Sequence, residues 1–260
     1  MKDWNPDLYL KFKDERTQPS IDLVHRIVLD FAPESILDVG CGPGNSSQIL
    51  IQRWPNSRLT GLDSSTNMIE KAKQTYPDQT WILADAATYE SENKYDVVFS
   101  NATIQWIPDH ENLIEHFYHL LSHRGCLAVQ VPLFWDMPLG KNIEKVAQNP
   151  KWHDRTRGVF ELFTMHNHSF YYDVMSRYFE TIALWESSYM HVMASHDAIL
   201  EMIRSTGMKP YLERLDGEEE KRDFEKQVRH EILADYPIQE DGRVLFPFKR
   251  LFFIGNKPRK

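Results

Sequence analysis

The 260-residue sequence has little of several features that define whole classes of protein. It contains two cysteines, Cys41 and Cys126, which are too few for a disulfide framework and favour a reducing compartment. No run of about 18 uncharged apolar residues occurs, so we expect no membrane-spanning helix. The first ten residues, MKDWNPDLYL, mix charges with apolar residues and do not resemble a secretory signal. We therefore expect a cytoplasmic protein without a membrane partner.

Long runs of lysine and arginine are also absent from the sequence. Its 30 basic and 38 acidic side chains give a formal net charge of −8. Because affinity for nucleic-acid phosphates depends on clustered cations, we expect no nucleic-acid partner. Hydrophobic residues make up 42% of the chain and charged residues 26%, which is typical of a globular protein that can bury a sizeable core.

Short apolar runs alternate with amphipathic segments between residues 36 and 132, as in βαβ units around a parallel sheet. The pattern predicts strands over 36–40, 58–63, 80–85, 95–100 and 126–132, with crossover helices that include 65–75 and 109–123. The second half is richer in aromatic residues and methionine. There we expect helical stretches over about 141–179 and 195–236, a strand over 181–192 and a last strand over 244–256.

A glycine-rich loop follows the first predicted strand in ILDVGCGPGNSSQIL, at positions 36–50. Gly40, Gly42 and Gly44 have the spacing G-x-G-x-G, which differs by one residue from the dinucleotide fingerprint G-x-G-x-x-G. A P-loop is excluded because no Lys-Ser or Lys-Thr pair follows the glycines. Asp38 is expected to place a fixed negative charge beside the loop, where it would repel a pyrophosphate and attract a cationic ligand.

Carboxylate and amide side chains follow the other predicted strands: Asp63 in LTGLDSS, Asp85 before Ala86 in LADAA, and Asn101 in VVFSNATIQW. Ligands of open α/β sheets bind at the carboxyl ends of the strands. Together with the glycine loop, these side chains predict a site for S-adenosylmethionine. We expect Asp63 to accept both hydroxyl hydrogens of its ribose, Asp85 to lie near its adenine edge, and Asn101 to lie near its methionine group. The alternative is a loop whose glycines serve only a tight turn.

Seven stretches of the chain carry a family resemblance: DWNPDLYLKFKDERTQP, DVGCGPGNSS, QRWP, TGLDSSTNMI, FSNATIQWIPDH, LAVQVP and LFPFKRLF. Together they resemble the trans-aconitate 2-methyltransferase family of class I S-adenosylmethionine-dependent methyltransferases, over nearly the whole chain. The match is poorer from about 140 to 170. The resemblance implies an enzyme that forms a monomethyl ester of trans-aconitate or a related small polycarboxylate, with S-adenosylmethionine as cofactor.

The expected fold class is α/β, with a doubly wound, mostly parallel, Rossmann-like sheet and a helical cap inserted in the C-terminal half. We divide the single domain, 1–260, into lid helices over 1–30, a cofactor-binding core over 31–135, a helical cap and substrate region over 136–240, and a final strand over 241–260. The predicted cofactor-binding residues are Asp38, Gly40, Cys41, Gly42, Asp63, Ser64, Met68, Asp85, Ala86 and Asn101.

A polycarboxylate substrate requires cations and hydrogen-bond donors, and the candidates are Arg16, Gln105, Trp106 and Arg250. Arg16 lies in an aromatic N-terminal segment that could cover the strand ends, although a surface arginine that caps a helix is an equal alternative. Gln105 and Trp106 follow Asn101 and are expected to face the pocket, with ordinary packing as the alternative for the tryptophan.

The expected chemistry requires no general base and no metal, because a carboxylate is already ionised at neutral pH. We therefore assign no catalytic residue. Two other functions stay open. The acceptor could be another carboxylate, such as a carrier-bound malonyl group or a longer-chain acid, or the chain could bind S-adenosylmethionine without catalysis. The oligomeric state is not predicted.

Overall fold

A computed structural model describes residues 3–6 and 13–258, with side chains described for 3–6 and 17–258. Contacts within the chain divide the described residues into two compact units. The sheet unit comprises residues 3–131, 164–186 and 251–258, and the insertion unit comprises 132–163 and 187–250. The domain boundaries expected from the sequence stay predictions.

Seven strands form one sheet in the order β3-β2-β1-β4-β5-β7-β6. Their bounds are β1 Ser35–Val39, β2 Arg58–Asp63, β3 Thr80–Leu83, β4 Tyr95–Asn101, β5 Leu121–Pro132, β6 Thr181–Met193 and β7 Val244–Asn256. The pairs β2–β3, β1–β2, β1–β4 and β4–β5 are parallel. The predicted α/β fold class with a doubly wound, mostly parallel sheet is confirmed.

Helices of the sheet unit cover the central strands on both faces. They are α1 Lys13–Arg26, α2 Asn45–Arg53, α3 Thr66–Thr75, α4 His110–Leu120 and α7 His168–Met175. Strands buried on both faces are continuous apolar runs rather than alternating ones. Ile36 and Leu37 of β1 and Val97, Val98 and Phe99 of β4 are accordingly 0% exposed.

Three ends of the elements expected between residues 65 and 132 differ from the sequence prediction by two residues or more. The helix expected over 109–123 ends at Leu120, and β5 begins at Leu121 instead of Cys126. A bulge explains this difference: Leu121 pairs with Tyr95 and Cys126 pairs with Val97, so five steps along β5 match two along β4. The strand expected over 80–85 ends at Leu83, because Asp85 forms a turn in which its carboxylate accepts the Ala87 N–H.

The insertion unit contains α5 Pro138–Ala147, α6 His153–Thr156, α8 His196–Arg204, α9 Lys209–Leu212 and α10 Gly217–Ile232. It also has two 3₁₀ turns, Phe134–Asp136 and Phe160–Leu162. The expected stretches 141–179 and 195–236 are helical in type but not continuous. In the first stretch, Pro150 follows α5 and Gly158 adopts φ +75°, and both interrupt helical hydrogen bonding.

Among the described residues, no helix is long and apolar enough to cross a membrane.

Candidate functional site

The loop between β1 and α2 depends on its glycines for two different reasons. Gly40, Gly42 and Gly44 have φ values of +70°, +54° and +96°, which favour glycine. A Cβ on Gly40 would lie 2.0 Å from Thr103 Oγ1, and one on Gly44 would lie 2.7 Å from the Tyr76 ring. A Cβ on Gly42 would meet no described atom within 4 Å. Packing therefore accounts for Gly40 and Gly44, whereas Gly42 borders open space in which a ligand can approach the backbone.

Asp63 connects the end of β2 to the glycine loop. Its Oδ2 accepts the Gly42 N–H at 2.9 Å, and its Oδ1 accepts the Ser65 N–H at 2.8 Å. Burial raises the pKa of Asp63, while these backbone N–H groups oppose the rise by stabilising the ionised form. A carboxylate has about four acceptor positions, so Asp63 retains capacity for the hydroxyl donors of a ligand.

Asp38 lies beneath the loop and is 0% exposed. Its Oδ2 accepts the Ser47 Oγ–H from α2 at 2.6 Å, and no described residue hydrogen-bonds to its Oδ1. Burial raises the pKa of Asp38 to about 7, and the nearby Asp63 charge adds to the rise. The expectation of a fixed negative charge at this position is wrong, because near neutral pH the carboxyl group is only partly ionised. The adjacent Cys41 is 3% exposed, and burial raises the pKa of its thiol.

Strand register places the remaining predicted cofactor residues along one edge of the sheet unit. Val39 of β1 is opposite Leu62 of β2 and Ser100 of β4, and Asp63 is opposite Leu83 of β3. The edge therefore carries exposed Ser64 and Asp85, nearly buried Ala86, Asn101 and Met68, and the glycine loop. No described residue hydrogen-bonds to Asn101 Oδ1. The structure brings these residues together, and their contact with a cofactor stays a prediction.

The turn after β4 carries Gln105 and Trp106. Gln105 is 6% exposed, and its Nε2 donates to the Ala102 carbonyl at 2.8 Å. The Trp106 ring meets the Trp4 ring edge to face, with 5.2 Å between ring centroids. The tryptophan therefore has an aromatic partner from the N-terminal segment, and pocket contact stays a prediction for both residues.

Asp3 is a residue of this region that sequence reasoning missed. Its Oδ1 accepts the Ser65 Oγ–H, and its Oδ2 accepts the Asn67 N–H at 3.1 Å. The Asp3 charge also contributes to the raised pKa of Asp63. The stretch DWNP was recognisable as a motif, but only the fold shows that its aspartate reaches the first turn of α3.

The two arginine candidates differ in what the structure describes. The Arg16 side chain lies outside the described residues. Arg250, in the insertion unit, is 4% exposed, and its guanidinium lies 4.5 Å from the Phe248 ring centroid and 5.9 Å from that of Tyr189. Burial and the Arg250 charge lower the pKa of His191 to about 4, so this histidine is neutral at pH 7.

Within the part of the chain that the structure describes, no group of three or more His, Cys, Asp or Glu side chains is arranged to hold a metal ion. The donors at the sheet edge are carboxylate, amide and backbone groups. The carboxylate and amide oxygens among them accept hydrogen bonds and suit the hydroxyl and amino hydrogens of a ligand.

Comparison with known proteins shows which family the chain resembles. A family model described as a methyltransferase domain matches residues 36–125. A trans-aconitate 2-methyltransferase of Escherichia coli O45:K1 is 40% identical over 257 residues, which cover 99% of both chains. A protein of the same name from Enterobacter sp. strain 638 is 39% identical over 258 residues, again covering 99% of each.

Solved structures share the fold at low sequence identity. The YcgJ protein from Bacillus subtilis has a TM-score of 0.59 at 14% identity, covering 93% of this chain and 99% of its own. Phosphoethanolamine N-methyltransferase 2 from Haemonchus contortus, solved in complex with S-adenosyl-L-methionine, has a TM-score of 0.59 at 16% identity, covering 97% of this chain and 57% of its own. Because its relatives match end to end, the chain belongs to the trans-aconitate 2-methyltransferase family and is an S-adenosylmethionine-dependent methyltransferase.

Proposed function

We propose that the protein methylates one carboxylate of trans-aconitate, or of a related small polycarboxylate, to give a monomethyl ester. The observation that carries this proposal is the 40% identity to a trans-aconitate 2-methyltransferase across 99% of both chains. When bound, S-adenosylmethionine supplies an electrophilic methyl group on a sulfonium and leaves as S-adenosylhomocysteine. A small carboxylic acid is the only other partner that the proposal requires.

The sheet edge described above suits this cofactor. Open space beside Gly42 allows close approach to the backbone, and the Asp63 carboxylate and the Asn101 amide oxygen are acceptors for hydroxyl and ammonium hydrogens. In this proposal the holding residues are those predicted from the sequence: Asp38, Gly40, Cys41, Gly42, Asp63, Ser64, Met68, Asp85, Ala86 and Asn101. Ionised Asp38 would favour a cationic ligand electrostatically rather than by direct contact, because its side chain is fully buried.

The protein's contribution to the reaction is orientation and exclusion of water. A carboxylate with an ordinary pKa near 4 is ionised at neutral pH, so no residue is required to remove a proton. Holding the acceptor oxygen in line with the methyl carbon can lower the barrier by on the order of 7 kcal/mol or more. The paired rings of Trp4 and Trp106 are suited to keeping water from the reacting atoms.

The proposed acceptor ligands are Gln105, Trp106, Arg16 and Arg250. A planar guanidinium can bind a carboxylate through two parallel hydrogen bonds, and burial strengthens such a pair. Arg250 is buried beside the Phe248 and Tyr189 rings, and its charge adds to the effect of burial in lowering the pKa of His191. These features support Arg250 as a carboxylate ligand within the insertion unit.

A direct assay uses pure protein, methyl-labelled S-adenosylmethionine and a panel of acids: trans-aconitate, citrate, malonate and a long-chain fatty acid. We expect base-labile label to appear with trans-aconitate and little with the fatty acid. If the cofactor binds in a calorimeter but no acid gives a labelled ester, the proposal of carboxylate methylation fails. Label only with the fatty acid would reassign the acceptor.

We include a cytoplasmic location in the proposal, supported by two cysteines that are both free and buried. Cell fractionation tests this part independently of the activity.

A further inference from the structure

The segment that joins β4 to α4 is strained at both ends. Ala102 has φ +55° and Asp109 has φ +56°, although neither residue is a glycine. A left-handed conformation costs a non-glycine residue roughly 1 to 3 kcal/mol and persists only where the surrounding structure enforces it. Between these two positions lie Gln105 and Trp106, the proposed acceptor contacts. The two strained residues therefore flank the part of the turn that carries the proposed acceptor contacts.

Hydrogen bonds from outside the segment hold this shape. The Ala102 N–H donates to the Gln130 carbonyl at 3.0 Å, and the Thr164 N–H donates to the Gln105 carbonyl at 2.8 Å. The Ile104 carbonyl accepts the Ile107 N–H at 2.9 Å and also contacts His110 Nε2 at 2.8 Å. Ile104 is thus the point at which the 3₁₀ turn Ile104–Trp106 is tied to the first residue of α4.

His110 has one tautomer that satisfies both of its contacts. A carbonyl oxygen only accepts, so Nε2 carries the hydrogen that bonds Ile104. In the neutral ring Nδ1 is then an acceptor, and it receives the Tyr171 hydroxyl hydrogen at 2.7 Å. His110 is 0% exposed, and burial lowers its pKa, which keeps the ring neutral. The tautomer is therefore set by a backbone group on one side and a phenol on the other.

Packing against β7 holds the Tyr171 ring in place. Tyr171 lies in α7 and is 0% exposed, and its ring stacks on Phe253 of β7 with 4.7 Å between centroids. Burial also raises the pKa of its hydroxyl, which therefore stays protonated and able to donate. A rigid donor of this kind restricts the His110 ring to the orientation that reaches Ile104.

We propose that His110 and Tyr171 are positioning residues of the methyl transfer. The chain of bonds from the Tyr171 hydroxyl through His110 to the Ile104 carbonyl holds the strained turn so that Gln105 and Trp106 face the acceptor. Neither residue touches substrate or cofactor in this scheme. The inference rests on the proposed function for the role of Gln105 and Trp106, whereas the rigidity of the turn is testable without any substrate.

Three variants of the full-length protein separate the two ends of the bond chain. Tyr171→Phe removes the hydroxyl that donates to Nδ1. His110→Asn keeps an acceptor near Nδ1 but loses the donor to Ile104, whereas His110→Gln keeps a donor near Nε2 but loses the acceptor for Tyr171. Tyr172→Phe is the matched control, because Tyr172 is the next residue of α7 and is 55% exposed. Loss of one neutral hydrogen bond corresponds to about a 2- to 10-fold effect.

The first measurement is amide hydrogen exchange at Trp106 and Ile107, whose N–H groups bond within the turn. We expect about 2- to 10-fold faster exchange in Tyr171→Phe and His110→Asn. His110→Gln keeps the donor to Ile104 but loses the acceptor for Tyr171, so its exchange should be accelerated less than that of His110→Asn, and Tyr172→Phe should exchange at wild-type rates. Unchanged exchange in the first two variants overturns the inference. So does equal acceleration across the whole chain with a lower Tm, which would identify His110 as an ordinary core residue.

The second measurement is steady-state kinetics with trans-aconitate. We expect the acceptor KM to rise about 2- to 10-fold in Tyr171→Phe and His110→Asn and by a smaller factor in His110→Gln, with the Kd for S-adenosylmethionine unchanged in all three. A rise in the cofactor Kd with an unaltered acceptor KM overturns the inference. If wild-type protein methylates no acid, the proposed function fails, and the exchange rates still decide whether the bond chain holds the turn.

Discussion

Replacement of Asp38 by asparagine should make the fold more stable at pH 8 and remove part of its pH dependence. The wild-type carboxyl group is fully buried, with a pKa near 7 against an ordinary value of 3.8. From about pH 4 to pH 7 the folded chain holds a proton that the unfolded chain has released. Unfolding therefore releases a proton, and the free energy of unfolding falls as pH rises through this window. Asparagine has no such proton, and its side-chain oxygen can still accept from Ser47.

The size of the effect follows from the two pKa values. A difference of about 3 pH units at 1.36 kcal/mol each corresponds to about 4 kcal/mol over the full window. Between pH 5 and pH 8 the window is crossed only in part, so the expected change is about 3 kcal/mol. From pH 5 to pH 8, the free energy of unfolding of Asp38→Asn should therefore rise by about 3 kcal/mol relative to that of wild type.

Urea unfolding of both proteins at pH 5 and pH 8 measures the difference directly. Ser47→Ala provides a matched variant, because loss of the Ser47 hydrogen bond should raise the pKa of Asp38 in the folded chain and so extend the window to higher pH. Parallel pH profiles for wild type and Asp38→Asn would refute the reasoning, since they would mean that Asp38 releases its proton at the same pH in the folded and unfolded chains.

Further substitutions test the glycine loop and the two proposed binding regions. Gly40→Ala should lower the free energy of unfolding more than Gly42→Ala, because both pay roughly 1–2 kcal/mol for a positive φ but only Gly40 also overlaps Thr103; equal losses in urea unfolding would contradict this. Gly42→Ala should instead weaken cofactor binding in calorimetry, since its methyl group enters the open space. Asp63→Ala should raise the S-adenosylmethionine Kd by about 10-fold or more, and an unchanged Kd would remove Asp63 from the site. Arg250→Gln should raise the acceptor KM by about 10- to 100-fold with the cofactor Kd unaltered, whereas a normal KM would exclude Arg250 as a carboxylate ligand.

The strands were predictable from the sequence where they are buried on both faces, because such strands are continuous apolar runs. The strand expected over 58–63 has those bounds in the structure. The strand expected over 36–40 is shifted by one residue to Ser35–Val39, and the strand expected over 95–100 is one residue longer, Tyr95–Asn101. Sequence reasoning failed where tertiary contacts override local preference. The end of the expected helix is strand in the structure, because Leu121 pairs with Tyr95 of β4 ahead of the bulge between Tyr95 and Val97. This pairing replaces the helical hydrogen bonds that the local sequence predicts.

The site was predictable as a set of strand ends but not as an electrostatic environment. The positions of Asp63 and Asn101 follow from the topology of parallel strands alone. The raised pKa of Asp38 does not, because it depends on complete burial against α2, which no local pattern specifies. Likewise, the sequence gives no signal that His110 reaches back to Ile104 or that Asp3 reaches α3, since both contacts depend on how distant segments pack.

The order of the strands has a consequence for biosynthesis. Strand β7 lies between β5 and β6, although both of these strands leave the ribosome before it. Until about residue 256 has emerged, two strand edges that will later be interior have no neighbour, and such edges are prone to pair with other chains. A nascent chain stalled before Val244 should therefore aggregate or recruit chaperones even though most of its apolar core residues have already been translated.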